Sequence, residues 1–242
     1  MHRKLLITLL FYLVTPCVTL ADDNGIIQLG TKVEWKPYHV DAPNGADGTA
    51  VRMVACILTR MGQPFKINQM PWARVQLATK HGSLDGFFSA SRNSERDSYA
   101  TLTHLFIPQK RVFYLHRGHL KYDINNYDVA FIKQNAKVSA RDSSNALRSL
   151  ESGGFIVEAH PKTQIQLLNM LDNGRIEAVL ENSLVFENLI KDSNRSMSDY
   201  LQVTYQTRNM GVYFGHKFLQ GKPHFIDIFN RNIMPCTGKV LQ

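Results

Sequence analysis

Gly82-Ser83-Leu84-Asp85-Gly86-Phe87-Phe88 recurs in outline as Gly174-Arg175-Ile176-Glu177-Ala178-Val179-Leu180. Both stretches open on a glycine suited to ending a helix. An apolar residue, an acid, a small residue and two apolar residues then enter a strand. The flanking elements match as well. Before the first copy, Ile26–Val33 predicts a buried strand, Thr49–Met61 a helix with Gly62 at its end, and Pro64–Met70 a strand. Pro71 then opens a helix that closes near Gly82. Leu84–Ser89 is the next strand, and 44–48 reads as a loop. Around the second copy, Lys137–Ala140 predicts a strand, Ser143-Ser144-Asn145 caps a helix through Leu150, and Phe155–Glu158 is a strand. Thr163–Leu171 is a helix, and Ile176–Leu180 a strand. Twice β-α-β-α-β is the grammar of an α/β protein with two similar lobes. Met210–Gly215 and Pro223–Ile233 add a strand and a helix.

The chain has 242 residues, 44% of them apolar, with 28 Lys+Arg against 20 Asp+Glu. That composition excludes disordered, collagen-like and coiled-coil classes. Arg3 and Lys4, the apolar run Leu5–Val14 and the small residues of Thr19-Leu20-Ala21 form a secretory signal pattern, with cleavage expected after Ala21. Removing Arg3 and Lys4 lowers the excess positive charge from +8 to +6. The basic residues are dispersed, which argues against a nucleic-acid partner and fits small anions or an acidic membrane complex. No second apolar run approaches the ~18 residues of a span, so the exported chain is expected to be soluble.

These marks together resemble the periplasmic solute-binding proteins of the amino-acid-binding type, bacterial extracellular solute-binding family 3. The marks are a strand leading to Trp35-Lys36-Pro37-Tyr38, then Gly48 and a helix, Pro71-Trp72-Ala73-Arg74, Gly82-Ser83-Leu84-Asp85 and Ser94-Glu95-Arg96. Asn173-Gly174-Arg175-Ile176-Glu177-Ala178 and Met210-Gly211-Val212 follow. The resemblance runs from about Ile26 to Ile233. It implies a type II two-lobed fold joined by two crossover strands, with ligand in the cleft. Lobe one would be residues 22–110 plus 207–242, and lobe two residues 111–206.

The resemblance makes Arg96 the partner of a ligand carboxylate, a task suited to a planar guanidinium fork; Arg92 is the competing candidate. Ser89 and Ser91 would offer hydrogen bonds. Trp35, Tyr38 and Trp72 would wall the pocket or pack in the core. Ser144, beside Ser143 where the family has glycine, would grip a carboxylate at a helix N-terminus or serve as a plain cap. Asn182 occupies the position of the family's ammonium-binding aspartate. Glu181 should point the other way along a regular strand. Either Glu181 reaches in, or no ammonium is bound.

Cys56 and Cys236 are expected to pair, because the family topology returns the chain end to lobe one and export places the thiols in an oxidising compartment. Metalloprotease, Cys-x-x-Cys, nucleophile-elbow and phosphate-loop motifs are all missing. His116 and His119 have no third metal ligand in the sequence. The expected function is capture of a small carboxylate-bearing solute, an amino acid or a related compound, by a non-enzymatic monomer without cofactor, for an ABC permease. The alternatives are a periplasmic sensor feeding a membrane receptor and a small cyclic-acid dehydratase with Glu181 as its acid.

Overall fold

The computed structural model describes residues 25–33, 35–43 and 45–237. The expected export signal and its expected cleavage site lie outside them. The chain begins with β1 (Ile27–Lys32), the hairpin of β2 (Val40–Ala42) and β3 (Gly45–Asp47), and α1 (Thr49–Arg60). Residues 45–47, expected as loop, are therefore half of a hairpin. Next come β4 (Phe65–Met70), α2 (Trp72–His81), β5 (Gly86–Ala90), the one-turn α3 (Ser94–Asp97) and β6 (Ala100–Leu102). The second lobe is built from β7 (Lys110–His116), α4 (Val129–Asn135), β8 (Lys137–Ser139), α5 (Asn145–Ser152) and β9 (Ile156–Ala159). It continues through α6 (Gln164–Asp172), β10 (Ala178–Asn182), α7 (Ser183–Asp192) and β11 (Tyr200–Thr207). β12 (Gly211–Gly215), α8 (His216–Leu219), α9 (Phe225–Arg231) and α10 (Met234–Thr237) return to the first lobe.

The two sheets have one plan. The first runs β4-β1-β5-β12-β6 and the second β9-β8-β10-β7-β11. In each, three parallel strands are followed by two joined antiparallel. The repeated phrase explains itself here. The Asp85 carboxylate accepts the Gln28 N–H of β1 at 2.7 Å, and the Asp85 N–H donates to the Gln28 carbonyl. In the second lobe the Glu177 carboxylate accepts the Lys137 N–H of β8 at 2.7 Å, and the Glu177 N–H donates to the Lys137 carbonyl. The acid in each copy pins the strand it enters against the neighbouring parallel strand and satisfies a backbone donor at the sheet's end.

Each sheet is covered on both faces. α1, α9 and α10 pack over one side of the first sheet through Val54, Leu58, Phe214 and Phe229, and α2 covers the other through Trp72, Val75, Phe87 and Tyr213. The second sheet buries Phe113, Leu147 and Leu180 on one face and Tyr114, Leu168 and Phe186 on the other. Cys56 of α1 and Cys236 of α10 form a disulfide, with Cα atoms 5.9 Å apart. The crossovers run side by side, tied by hydrogen bonds from Arg208 N–H to the Gln109 carbonyl and from Met210 N–H to the Ile107 carbonyl, each 2.8 Å. At Gly48, φ is +118° and any Cβ would collide with the Tyr38 carbonyl, so only glycine lets the chain enter α1 there.

Candidate functional site

The carboxyl ends of the parallel strands in both lobes meet at one narrow cavity of about 30 Å³. β1 ends on Lys32, and β5 leads to Ser89 and Ser91. The turn after β8 supplies Arg141, the start of α5 supplies Ser144 and Asn145, and β10 ends on Glu181 and Asn182. Trp35, Trp72, Arg96, Gln109, Arg111 and Met210 complete the wall.

Arg96 is 1% exposed. Asn93 caps its short helix by accepting the Arg96 N–H at 2.9 Å. Its Nε donates to Gln76 Oε1 at 2.9 Å and its Nη1 to the Ser91 carbonyl at 3.0 Å, while the buried Nη2 has no partner. The guanidinium lies 5.2 Å from the Trp72 ring centre. Burial lowers its pKa to about 10, against the opposing influence of Tyr99 and Tyr213, so it remains a cation at neutral pH. The competitor Arg92 lies outside this cavity and pairs with Asp97 on the exposed rim.

Lys32 is buried, with its ammonium 3.2 Å from the Trp35 ring centre and 4.7 Å from that of Trp72. Burial, then the charge of Arg141, pushes its pKa well below the ordinary lysine value; Glu181 opposes this, and Arg96 and Arg111 add to it. Trp35 and Trp72 therefore both pack and line the cavity. Tyr38 stacks on Trp35 behind the wall, donates to the Pro108 carbonyl at 2.6 Å and accepts from Asn182 Nδ2 at 3.2 Å. Ser89 holds the left-handed backbone at φ +59°, and its hydroxyl meets buried His39 Nε2 at 2.8 Å. Burial, then the Lys32 and Arg141 charges, keeps the His39 pKa well below 6.5.

In the second lobe Ser143 adopts φ +56°, the conformation the expected glycine would take. Ser144 caps α5, its hydroxyl accepting the Leu147 N–H at 3.1 Å, while still facing the cavity. Glu181 and Asn182 both line the cavity, contrary to strict alternation. The strand ends there: Asn182 caps α7 through Val185 N–H, and the Glu181 carboxylate folds back onto the Asn182 N–H at 2.7 Å.

Sequence reasoning missed Lys32, Gln109, Arg111, Arg141, Asn145 and Met210. Lys32 had a readable signal, the one ionisable residue of a buried strand, placed at its end. Asn145 spans the cleft: its Nδ2 faces the Ser91 hydroxyl and carbonyl at 2.7 and 2.9 Å, and its Oδ1 accepts from Asn93 at 2.7 Å. Arg111 Nη2 reaches the Ser91 hydroxyl at 3.1 Å. Away from the cavity, His116 and His119 lie with ring centres 4.9 Å apart, and the described residues hold no group of three metal-ligating side chains.

No protein-family model matches the sequence, and no curated protein matches it. Solved structures do match. A histidine kinase sensor domain with similarity to periplasmic binding proteins aligns over 89% of this chain and 92% of its own, at TM-score 0.75 and 16% identity. The fold is that of the periplasmic binding proteins. A Streptococcus pneumoniae ABC uptake transporter substrate-binding protein with bound histidine has the same fold at TM-score 0.70 and 14% identity, over 86% of this chain and 85% of its own. So has an ancestral amino-acid-binding protein, a precursor of cyclohexadienyl dehydratase, at TM-score 0.70 and 14% identity, over 89% of this chain and 93% of its own. In this binding-protein fold the cavity lies between the two sheets, and no helix among the described residues is long and apolar enough to cross a membrane.

Proposed function

We propose that the protein is a periplasmic binding protein that closes its lobes, residues 22–110 plus 207–242 and 111–206, over a small carboxylate-bearing solute. The unpartnered Nη2 of buried Arg96 carries the reading. An isolated buried donor is costly, and a carboxylate oxygen is the acceptor a guanidinium fork fits. Ser89, Ser91, Trp35, Trp72, Ser144, Glu181 and Asn182 form the remaining contacts, with Tyr38 bracing Trp35 from behind. The cavity holds a single carboxylic side chain, Glu181, so a pair of acids for acid–base catalysis is missing there, which supports binding over turnover. A thermal-shift and calorimetric screen of amino acids, polyamines and small organic acids tests the reading. Hits are expected only among carboxylates and are expected to weaken at least a hundredfold in Arg96→Lys. A polyamine hit, or Arg96→Lys binding within threefold of the wild type, refutes it.

Delivery to an ABC-type importer is the leading role. A sensor role draws support from the sensor domain's TM-score of 0.75. Neighbouring genes for importer subunits or for a sensor kinase separate the two.

A further inference from the structure

We propose that the solute is a short-chain dicarboxylate without an ammonium group; this rests on the binding-protein reading above and names its substrate class. Three observations carry it.

The cavity brings Lys32, Arg96, Arg111 and Arg141 together against one carboxylate, Glu181. A zwitterion does nothing to reduce such an excess. The three guanidinium groups alone exceed Glu181 by two charges, which a dianion balances, and opposite charges attract strongly where water is excluded.

The spare donors form two sets, one per lobe. In the first lobe Arg96 leaves Nη2 unpartnered. In the second, Arg141 is 9% exposed and its guanidinium makes no side-chain hydrogen bond among the described residues. Arg111 is already committed to Ser91 and Ser149. Two guanidinium groups with spare donors, Nη2 of Arg96 and the guanidinium of Arg141, on opposite lobes of one cavity, fit a molecule with a carboxylate at each end. The narrow cavity favours a short chain.

The protein's own lysine amine occupies the place suited to a ligand cation. Lys32 Nζ lies over the faces of Trp35 and Trp72, the kind of aromatic cage that binds an ammonium. An acid at position 182 could have gripped an α-ammonium, but the residue is Asn182, whose side chain is engaged by Tyr38 and Val185.

The test is calorimetric titration of the full exported chain with malonate, succinate and glutarate. Each is compared with its 2-amino derivative: aminomalonate, aspartate or glutamate. Propionate, phosphate and sulfate are run alongside. One dicarboxylate is expected to bind at least tenfold tighter than its amino derivative and than any of the other three. Lys32→Met, which empties the cage while keeping apolar bulk, is expected to shrink that preference at least tenfold. An amino derivative binding as tightly as its parent acid overturns the inference and leaves the binding-protein reading standing. So does propionate or an inorganic dianion binding best, or an unchanged preference in Lys32→Met. The wild-type comparison decides even if that variant fails to fold. No binding by any carboxylate overturns both.

Discussion

Replacing Asn145 by alanine removes the side chain with the most hydrogen bonds between the lobes. Its amide nitrogen has two hydrogens to share between the Ser91 hydroxyl and carbonyl, with the Arg92 carbonyl as a longer third acceptor at 3.3 Å. Its oxygen accepts from Asn93. Three satisfied bonds at about 1 kcal/mol net each give about 3 kcal/mol. The competing cross-cleft ion pairs, Lys36–Asp192 and Arg148–Glu95, are exposed and contribute about 0–1 kcal/mol each. Arg111 to the Ser91 hydroxyl and Asn182 to the Tyr38 hydroxyl add one buried cross-cleft hydrogen bond each. Asn145 is therefore the largest single contributor to closure, and its loss shifts the open–closed equilibrium roughly a hundredfold. Solution scattering of Asn145→Ala should show a larger radius of gyration than the wild type. Solute affinity should fall in proportion to the lost closed fraction, about 10- to 100-fold. An unchanged scattering profile with affinity within threefold would refute the latch.

The other predictions concern stability. Replacing Cys56 and Cys236 by serine opens a 180-residue loop, worth about 5 kcal/mol in the chain-entropy model, and should lower the midpoint of a non-reducing urea melt. Glu177 is pushed up by burial, but hydrogen bonds from Lys121 and the Lys137 N–H outweigh this and hold it below 4.5. Its contribution is thus present above 4.5 and lost as pH falls through the lower folded value, so Glu177→Gln should flatten the acid limb of a stability–pH curve. His39 is held neutral by burial and by the Lys32 and Arg141 charges. Below pH 6.5 the unfolded chain takes a proton that the folded one refuses. Stability should therefore fall with acidification, and less steeply in His39→Gln when followed by thermal melts.

The α/β order of both lobes was legible because glycine caps and apolar runs mark helix ends and strands locally, as Gly82 and Gly174 do. The hairpin at 40–47 was not, since Gly45-Ala46-Asp47 has turn composition and becomes a strand only through pairing with Val40–Ala42. The gathering of eight expected residues at one cavity follows from strand ends converging. The extra cations did not follow, because Arg111 and Arg141 become neighbours of Lys32 only when two sheets distant in sequence close on each other. Asn145 reads in the sequence only as one of three residues capping a helix, since a side chain that crosses a cleft leaves no periodic trace.

The placement of β12 governs the order of assembly. It pairs with β5 on one side and β6 on the other, in the first sheet. Those two strands emerge from synthesis more than a hundred residues earlier. Until residues 211–215 arrive, β6 has no neighbour and β5 presents an open edge beside Phe87 and Phe88. The second sheet is contiguous from Lys110 to Thr207 and can mature as a unit. The lobe that begins the chain is thus the last to be finished, and the Cys56–Cys236 bond can close only after it, recording completion in covalent form.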